Sequence, residues 1–225
     1  EQSGYGINDS RLAMVLSAHV LDEVTYLEGL GLEFDRDAEG RYLPIHTLGT
    51  AYPRLIKTGV SSGSAEMRIL KARCGELGVQ QYAPVDILGL LVSRGHVLGA
   101  YGLDLGSGEL LRCTASAGVL ATGGCGAMQS FSTYPKALTG DGYAMAYEAG
   151  ARLTDMEFQQ FEPCCFIWPE ELSGKVIATT LLRHGAVLRN GECRDFLADY
   201  GLTRENAQKG SLARAMLSDV REGRG

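Results

Sequence analysis

Two short glycine turns hold the residues of this chain best suited to chemistry. Ala121-Thr122-Gly123-Gly124 ends an apolar run that begins at Val119 and Leu120, and Thr139-Gly140-Asp141-Gly142 opens a stretch rich in small residues, with Ala144, Ala146, Ala149 and Gly150. Glycine lets backbone approach a phosphate or a ribose with no Cβ in the way. A helix N-terminus adds free N–H groups and the positive end of the helix dipole. One strand-ending glycine turn is ordinary. The pair, with a sheet before them and a small-residue helix after them, points to a dinucleotide. The other reactive types are scattered. Cysteines stand at 74, 113, 125, 164, 165 and 193, without a CxxC or zinc-finger spacing, so no metal site is expected. They read as reduced, partly buried thiols. Cys164-Cys165 keeps a competing reading as a vicinal disulfide or redox thiol, which would need an exposed, low-pKa group. His19 lies on an apolar stripe and reads as a packed core histidine.

The elements that must position these turns follow from periodicity. Asn8-Asp9-Ser10 is an N-cap cluster for a helix whose Leu12, Val15, Leu16, His19 and Val20 share a face. A second helical stretch carries Val24, Leu27 and Leu30 and stops at Gly31. Residues 34–42 read as a polar hairpin, and a helix from Gly63 to about Leu77 stops at Gly78. Residues 86–114 read as a three-stranded meander: Leu88 to Val92, a turn at Arg94-Gly95, Val97 to Leu105, a turn at Gly106-Ser107-Gly108, then Leu110 to Cys113. Val119 to Thr122 is expected to be a buried strand, and a helix is expected from Tyr143 to Leu153. After Phe161 the pattern breaks. Residues 176–189 are β-prone, Arg189-Asn190-Gly191-Glu192 is a hairpin turn, and Thr203 is placed as cap of a last helix through Asn206, Leu212, Met216 and Val220.

Composition bounds the function. The chain has 225 residues, 45% hydrophobic and 21% charged, with a net charge of −6. That allows one large domain or two small ones. Acids and bases are interspersed, with no basic stripe for nucleic acid. No apolar stretch is long enough for a membrane helix, so no direct membrane insertion is expected. A P-loop and an HExxH are absent, which leaves a nucleotide kinase or metal hydrolase without support. The first residue is Glu1 rather than Met, so the native N-terminus is expected to lie upstream and export cannot be judged.

The run GVLATGGCGAMQSFSTYPKALTGDGYAMAYEAGARLTDMEFQQF, Gly118 to Phe161, resembles the flavoprotein subunits of the fumarate reductase, succinate dehydrogenase and L-aspartate oxidase superfamily. The resemblance implies FAD as the cofactor. It places Ala121, Thr122, Gly123 and Gly124 along the adenosine half and Asp141 against the cofactor or its loop. Alignment through Gly95 puts Ile87 where the family backbone receives the adenine edge. His46-Thr47-Leu48-Gly49-Thr50-Ala51-Tyr52-Pro53-Arg54 is similar to a GGHSxPR loop near the flavin, which makes His46 and Thr47 cofactor-side residues. No glycine stands directly before His46, and a turn histidine satisfied by backbone is the competing reading. Asp155 and Glu157, in DMEF, are implied to hold the local strand and loop. The dinucleotide fingerprint GxGxxG is not in the chain; Gly29-Leu30-Gly31 lacks a preceding strand. The expected fold is therefore α+β or α/β: part of an FAD-binding domain with a β-meander insertion over 1–161, then the start of a capping, substrate domain over 162–225. Arg221-Glu222-Gly223-Arg224-Gly225 is similar to the family's capping sequence.

The substrate side departs from the family. Relatives that reduce fumarate carry a histidine in QFHP, a glutamate in GEG and an Arg-Asp pair in the cap helix. Here those positions align with Glu162, His184 and Lys209, the last followed by Gly210. A carboxylate at 162 repels a dicarboxylate unless it is protonated or paired. His184 is a candidate partner. Lys209 keeps positive charge without the bidentate fork of arginine and serves as a proton donor if buried; a solvated surface lysine is the alternative. The expectation is a flavin-dependent oxidoreductase moving a hydride between FAD and a small organic acid other than plain fumarate or succinate. Oxidation of an amine in the manner of L-aspartate oxidase is the alternative enzyme reading. An inactive fragment, or an electron-transfer subunit docking an iron–sulfur partner, is the alternative of another class. A cytoplasmic or membrane-peripheral location is expected.

Overall fold

A computed structural model describes residues 4–47, 50, 52–59, 61–204 and 206–225. The chain divides into two compact units, Glu1–Gln80 with Thr179–Gly225, and Gln81–Ala178.

The central unit is built on the meander. Strands β1 (Val85–Ser93), β2 (His96–Asp104) and β3 (Leu110–Thr114) form one antiparallel sheet in the order β1-β2-β3. The first turn is set by Arg94 and Gly95, at φ 51° and 77°, the two positive values that a tight hairpin matching strand twist requires. Gly99 is fixed by contact: a Cβ there would lie 1.9 Å from the Cys113 carbonyl oxygen across the ladder. The sheet thus forms where expected, with β1 and β3 longer than expected and β2 shifted by one residue toward the turn.

The run Val119 to Thr122 corrects the expectation of a buried strand. It is irregular, Val119 is 93% exposed and Leu120 45% exposed. A parallel strand is stable only between neighbours that satisfy its backbone, and among the described residues none pairs with it. Helix α3 (Asp141–Glu148) lies against β1 and buries Gly142 and Met145. It ends short of the expected Leu153, where the backbone turns left-handed at Gly150. Beyond it, Cys164 to Phe166 run back against Lys175 to Ile177 as a narrow hairpin, with Ile177 N–H donating to the Cys164 carbonyl at 2.9 Å.

The other unit joins the two ends of the chain. Helix α1 (Ser10–Gly29) is one continuous helix where two stretches were expected, capped by the Asp9 carboxylate accepting from Arg11 N–H at 2.9 Å. It buries no residue, and His19 is an exposed side chain beside Asp22 rather than a core histidine. The polar hairpin forms as expected. Arg36 pairs with Tyr42 across it, the Arg36 guanidinium sits 4.2 Å over the Tyr42 ring, and Glu28 accepts from both side chains. Helix α2 spans Ser62–Glu76. The β-prone residues 176–189 instead include a 3-10 turn, Thr179–His184, and the hairpin at 189–195 follows. Helix α4 (Lys209–Arg221) is capped by Gln208 and Ser211 reciprocally, not by Thr203, which closes a separate turn with Asn206. The core of this unit is Leu32, Phe34, Leu182, Phe196, Leu197, Ala207, Leu212 and Ala215.

Candidate functional site

The two glycine turns come together in the central unit. Thr122 meets Gly142 so closely that a Cβ on Gly142 would lie 1.9 Å from Thr122 Oγ1 and 2.8 Å from Thr122 Cβ. A Cβ on Gly140 would lie 2.8 Å from Cys125 Cβ. The glycines therefore do packing work that no other residue can do, and the start of α3 is held against the end of the 119–124 run. Ala121, Thr122, Gly123 and Asp141 remain exposed, and Gly124 is half-buried. Thr139 donates its hydroxyl hydrogen bond to the Asp141 carboxylate. Ile87 lies in β1 opposite Gly102 and is 39% exposed. The result is a solvent-facing cradle of bare backbone beside a helix N-terminus, which suits a dinucleotide.

His46 and Thr47 belong to the other unit. His46 Nε2 lies 2.6 Å from the Thr50 carbonyl oxygen, and Thr50 donates its hydroxyl to the Thr47 carbonyl at 2.8 Å. His46 is thus a turn histidine with a backbone partner. Leu48, Gly49 and Ala51 of the same motif lie outside the described residues.

The three substrate-side candidates are carried by different elements. Glu162 is half-buried in the central unit, two residues before the buried Cys164. Burial and the Glu162 and Cys165 charges push the Cys164 thiol up to about 11. Burial and Glu162 raise Cys165 as well. All six cysteines are free. A raised thiol is the opposite of a reactive one, which disfavours a low-pKa thiol at Cys164 and Cys165; Cys113 and Cys193 are exposed rather than partly buried. In the other unit, His184 is exposed at the end of the 3-10 turn, and Lys209 is half-buried at the first position of α4.

Sequence reasoning missed two features. Tyr134 lies against the glycine turn, where the only signal was an aromatic residue set among small ones. The REGRG end is locked by Asp219, 2% exposed, which accepts from Arg224 at 2.7 Å and from the Tyr200 hydroxyl at 3.3 Å. Among the described residues no group of His, Cys, Asp and Glu gathers to hold a metal ion, and no helix is long and apolar enough to cross a membrane.

Comparison with known proteins decides the family. The family described as FAD binding domain matches residues 2–225. The chain belongs to the FAD-binding domain family. This family includes fumarate reductases, succinate dehydrogenase flavoproteins and L-aspartate oxidases. Similar proteins include a fumarate reductase (CoM/CoB) subunit of Methanothermobacter marburgensis, 33% identical over 224 residues, covering 100% of this chain and 41% of that protein. The L-aspartate oxidase of Caulobacter vibrioides is 30% identical over 227 residues, covering 99% and 44%. Among solved structures, E. coli quinol fumarate reductase FrdA superposes with a TM-score of 0.84 at 26% identity, over 92% of this chain and 37% of that one. The fold is therefore that of a flavoprotein subunit, with mixed helix and sheet and a small antiparallel meander. The chain spans about two fifths of the length of the curated relatives it matches.

Proposed function

We propose that this chain is the FAD-holding part of an oxidoreductase that moves a hydride between flavin and a small organic acid other than plain fumarate or succinate. The observation that carries the reading is the cradle at Thr122 and Gly142, where no Cβ fits and exposed backbone borders a helix start. Ala121, Thr122, Gly123, Gly124, Asp141 and Ile87 would hold FAD, with His46 and Thr47 as further cofactor-side residues. FAD, when bound, supplies two-electron chemistry that amino-acid side chains lack. The division of labour follows the resemblance: residues 1–161 serve the cofactor and 162–225 begin the substrate domain.

Each substrate-side residue has its own task. Lys209 carries its charge as a single ammonium, so it holds one carboxylate oxygen at a point and keeps a proton at Nζ for delivery. His184 carries its ring at an exposed turn and supplies a second proton site at Nε2 or Nδ1. Glu162 is an acceptor where fumarate reducers carry a histidine. It disfavours a second substrate carboxylate and favours a hydroxyl, amine or amide in its place. That substitution keeps an amine-oxidising reading open, and the 30% identity to an L-aspartate oxidase over 99% of the chain supports it. A larger complex with an electron-transfer partner, at the cytoplasm or a membrane periphery, is part of the same proposal.

Titrating the purified chain with FAD tests this directly. Flavin absorption retained through gel filtration is expected. Fumarate and L-aspartate are then offered, to the photoreduced and to the oxidised flavin respectively, with Lys209→Ala and His184→Ala in parallel. Weak or no turnover of fumarate is expected, and any substrate that bleaches or restores the flavin should lose its effect in Lys209→Ala. Rapid fumarate turnover that survives Lys209→Ala would overturn the substrate reading.

A further inference from the structure

We infer that Tyr134 is a positioning residue of the dinucleotide site: its ring fixes the shape of the glycine turn at 124–126. The inference rests on the proposed FAD reading and adds a residue that neither motif contains. A Cβ built on Gly124 would lie 3.0 Å from Tyr134 Cε1, and one on Gly126 would lie 2.6 Å from Tyr134 Cδ2 and 2.8 Å from its Cγ. One aromatic ring therefore covers two glycines of the same turn. It does so while 50% exposed, so it is not placed there to fill a core.

The backbone that carries the ring is itself held. Tyr134 N–H donates to Ser132 Oγ at 3.0 Å, Leu138 N–H donates to the Pro135 carbonyl at 3.0 Å, and Ala127 N–H donates to the Leu138 carbonyl at 3.1 Å. These bonds close the loop that returns from the first glycine turn to the second. Two more contacts brace it. Leu138 Cδ2 would meet a Cβ on Gly123 at 3.0 Å, and the Ser132 carbonyl oxygen would meet one on Gly174 at 2.9 Å. Glycines gain freedom in the unfolded and unliganded states that must be lost when backbone N–H groups aim at a ligand. A flat, rigid ring laid across them removes that freedom in advance. Binding groups must hold position within about half an ångström to be effective.

The test is a double-mutant cycle on the purified chain, read by FAD titration, by the visible circular dichroism of bound flavin and by thermal unfolding. Tyr134→Ala is expected to weaken FAD roughly tenfold and to change the flavin dichroism. Tyr134→Phe should keep both, because the ring carries the contact. Gly126→Ala should bind poorly alone and recover in the Tyr134→Ala background, which removes the clashing ring. FAD affinity and dichroism unchanged in Tyr134→Ala, with wild type binding normally, would overturn the inference and leave the proposed function standing. Absence of FAD binding by the wild-type chain would instead sink the proposed function. In that case the positioning role falls with the reading it rests on, and coupled Gly126 and Tyr134 unfolding midpoints would show only that the ring packs on the turn. Should Tyr134→Ala fail to fold, Tyr134→Leu replaces it in the cycle.

Discussion

At the scale of single residues, Gly142 is the position where one atom decides the outcome. Its backbone is outside the left-handed region, so alanine has no conformational objection there. The objection is space: the new methyl would lie 1.9 Å from Thr122 Oγ1. Threonine is β-branched and stiff at χ1, so its hydroxyl and methyl cannot both swing away. Overpacking of this kind costs about 1–3 kcal/mol. Gly142→Ala is therefore expected to lower the thermal midpoint and to reduce flavin retention together. Adding Thr122→Ala, which removes the nearest atom, should restore part of both. A Gly142→Ala chain that matches wild type in midpoint and flavin retention would mean the approach of the two turns is not a constraint. Cys164 illustrates the complementary lesson. Its place after the QFEP motif invited a redox reading, but burial and a neighbouring carboxylate, which no spacing reveals, push its thiol to about 11.

At the scale of elements, α4 is the helix that burial organises. Leu212 is fully buried and Ala215 nearly so, and Asp219 and Arg224 lock its far end. Leu212→Ala is expected to cost about 2–5 kcal/mol in urea unfolding. Leu16→Ala on α1, where Leu16 is 69% exposed, should change stability by no more than about 0.5 kcal/mol. Equal effects at the two sites would contradict the burial pattern. The same contrast shows what was legible in the chain. The meander was readable because its signals are local: alternating apolar residues, Arg94-Gly95, and Gly106 to Gly108. The ends of α2 and the two glycine turns were readable for the same reason. Val119 to Thr122 was not, because an apolar run says that a strand wants neighbours and cannot say that they are present. The stripe on α1 likewise marks a face fit for burial, yet Leu12, Leu16 and His19 are exposed. The cap of α4 was misplaced because Thr203 and Gln208 both precede the helix, and only geometry distinguishes the turn from the cap.

At the scale of the whole molecule, apolar burial is sparse and the balance of charge becomes visible. Stability should therefore follow pH closely, and the sign can be worked out group by group. Asp9, Glu28, Asp35, Asp37, Asp104 and Asp219 all sit below their ordinary values. Hydrogen bonds lower them: Arg11 for Asp9, Tyr42 and Arg36 for Glu28, Lys57 and Gly59 N–H for Asp35, and Arg41 for Asp37. The turn N–H groups of Ser107 and Gly106 lower Asp104, and at Asp219 burial opposes Arg224 and loses. A depressed carboxylate adds stability above its unfolded value and loses it as pH falls through its folded one. Cys164, Tyr42 and Tyr200 are displaced upward, by burial at Cys164 and Tyr200 and by the Glu28 hydrogen bond at Tyr42. Each of these adds stability that is complete below its unfolded value and is lost as pH rises through its folded one. The thermal midpoint is thus expected to be level from roughly pH 5 to 8, to fall below about pH 4 and to fall again above about pH 9. Asp35→Asn, which replaces a carboxylate bound to Lys57 and Gly59 N–H, should lower the plateau and make the acid limb shallower while leaving the alkaline limb in place. A midpoint that drops between pH 5 and 8 would place the controlling groups among the histidines instead, since these are the side chains that ordinarily titrate there.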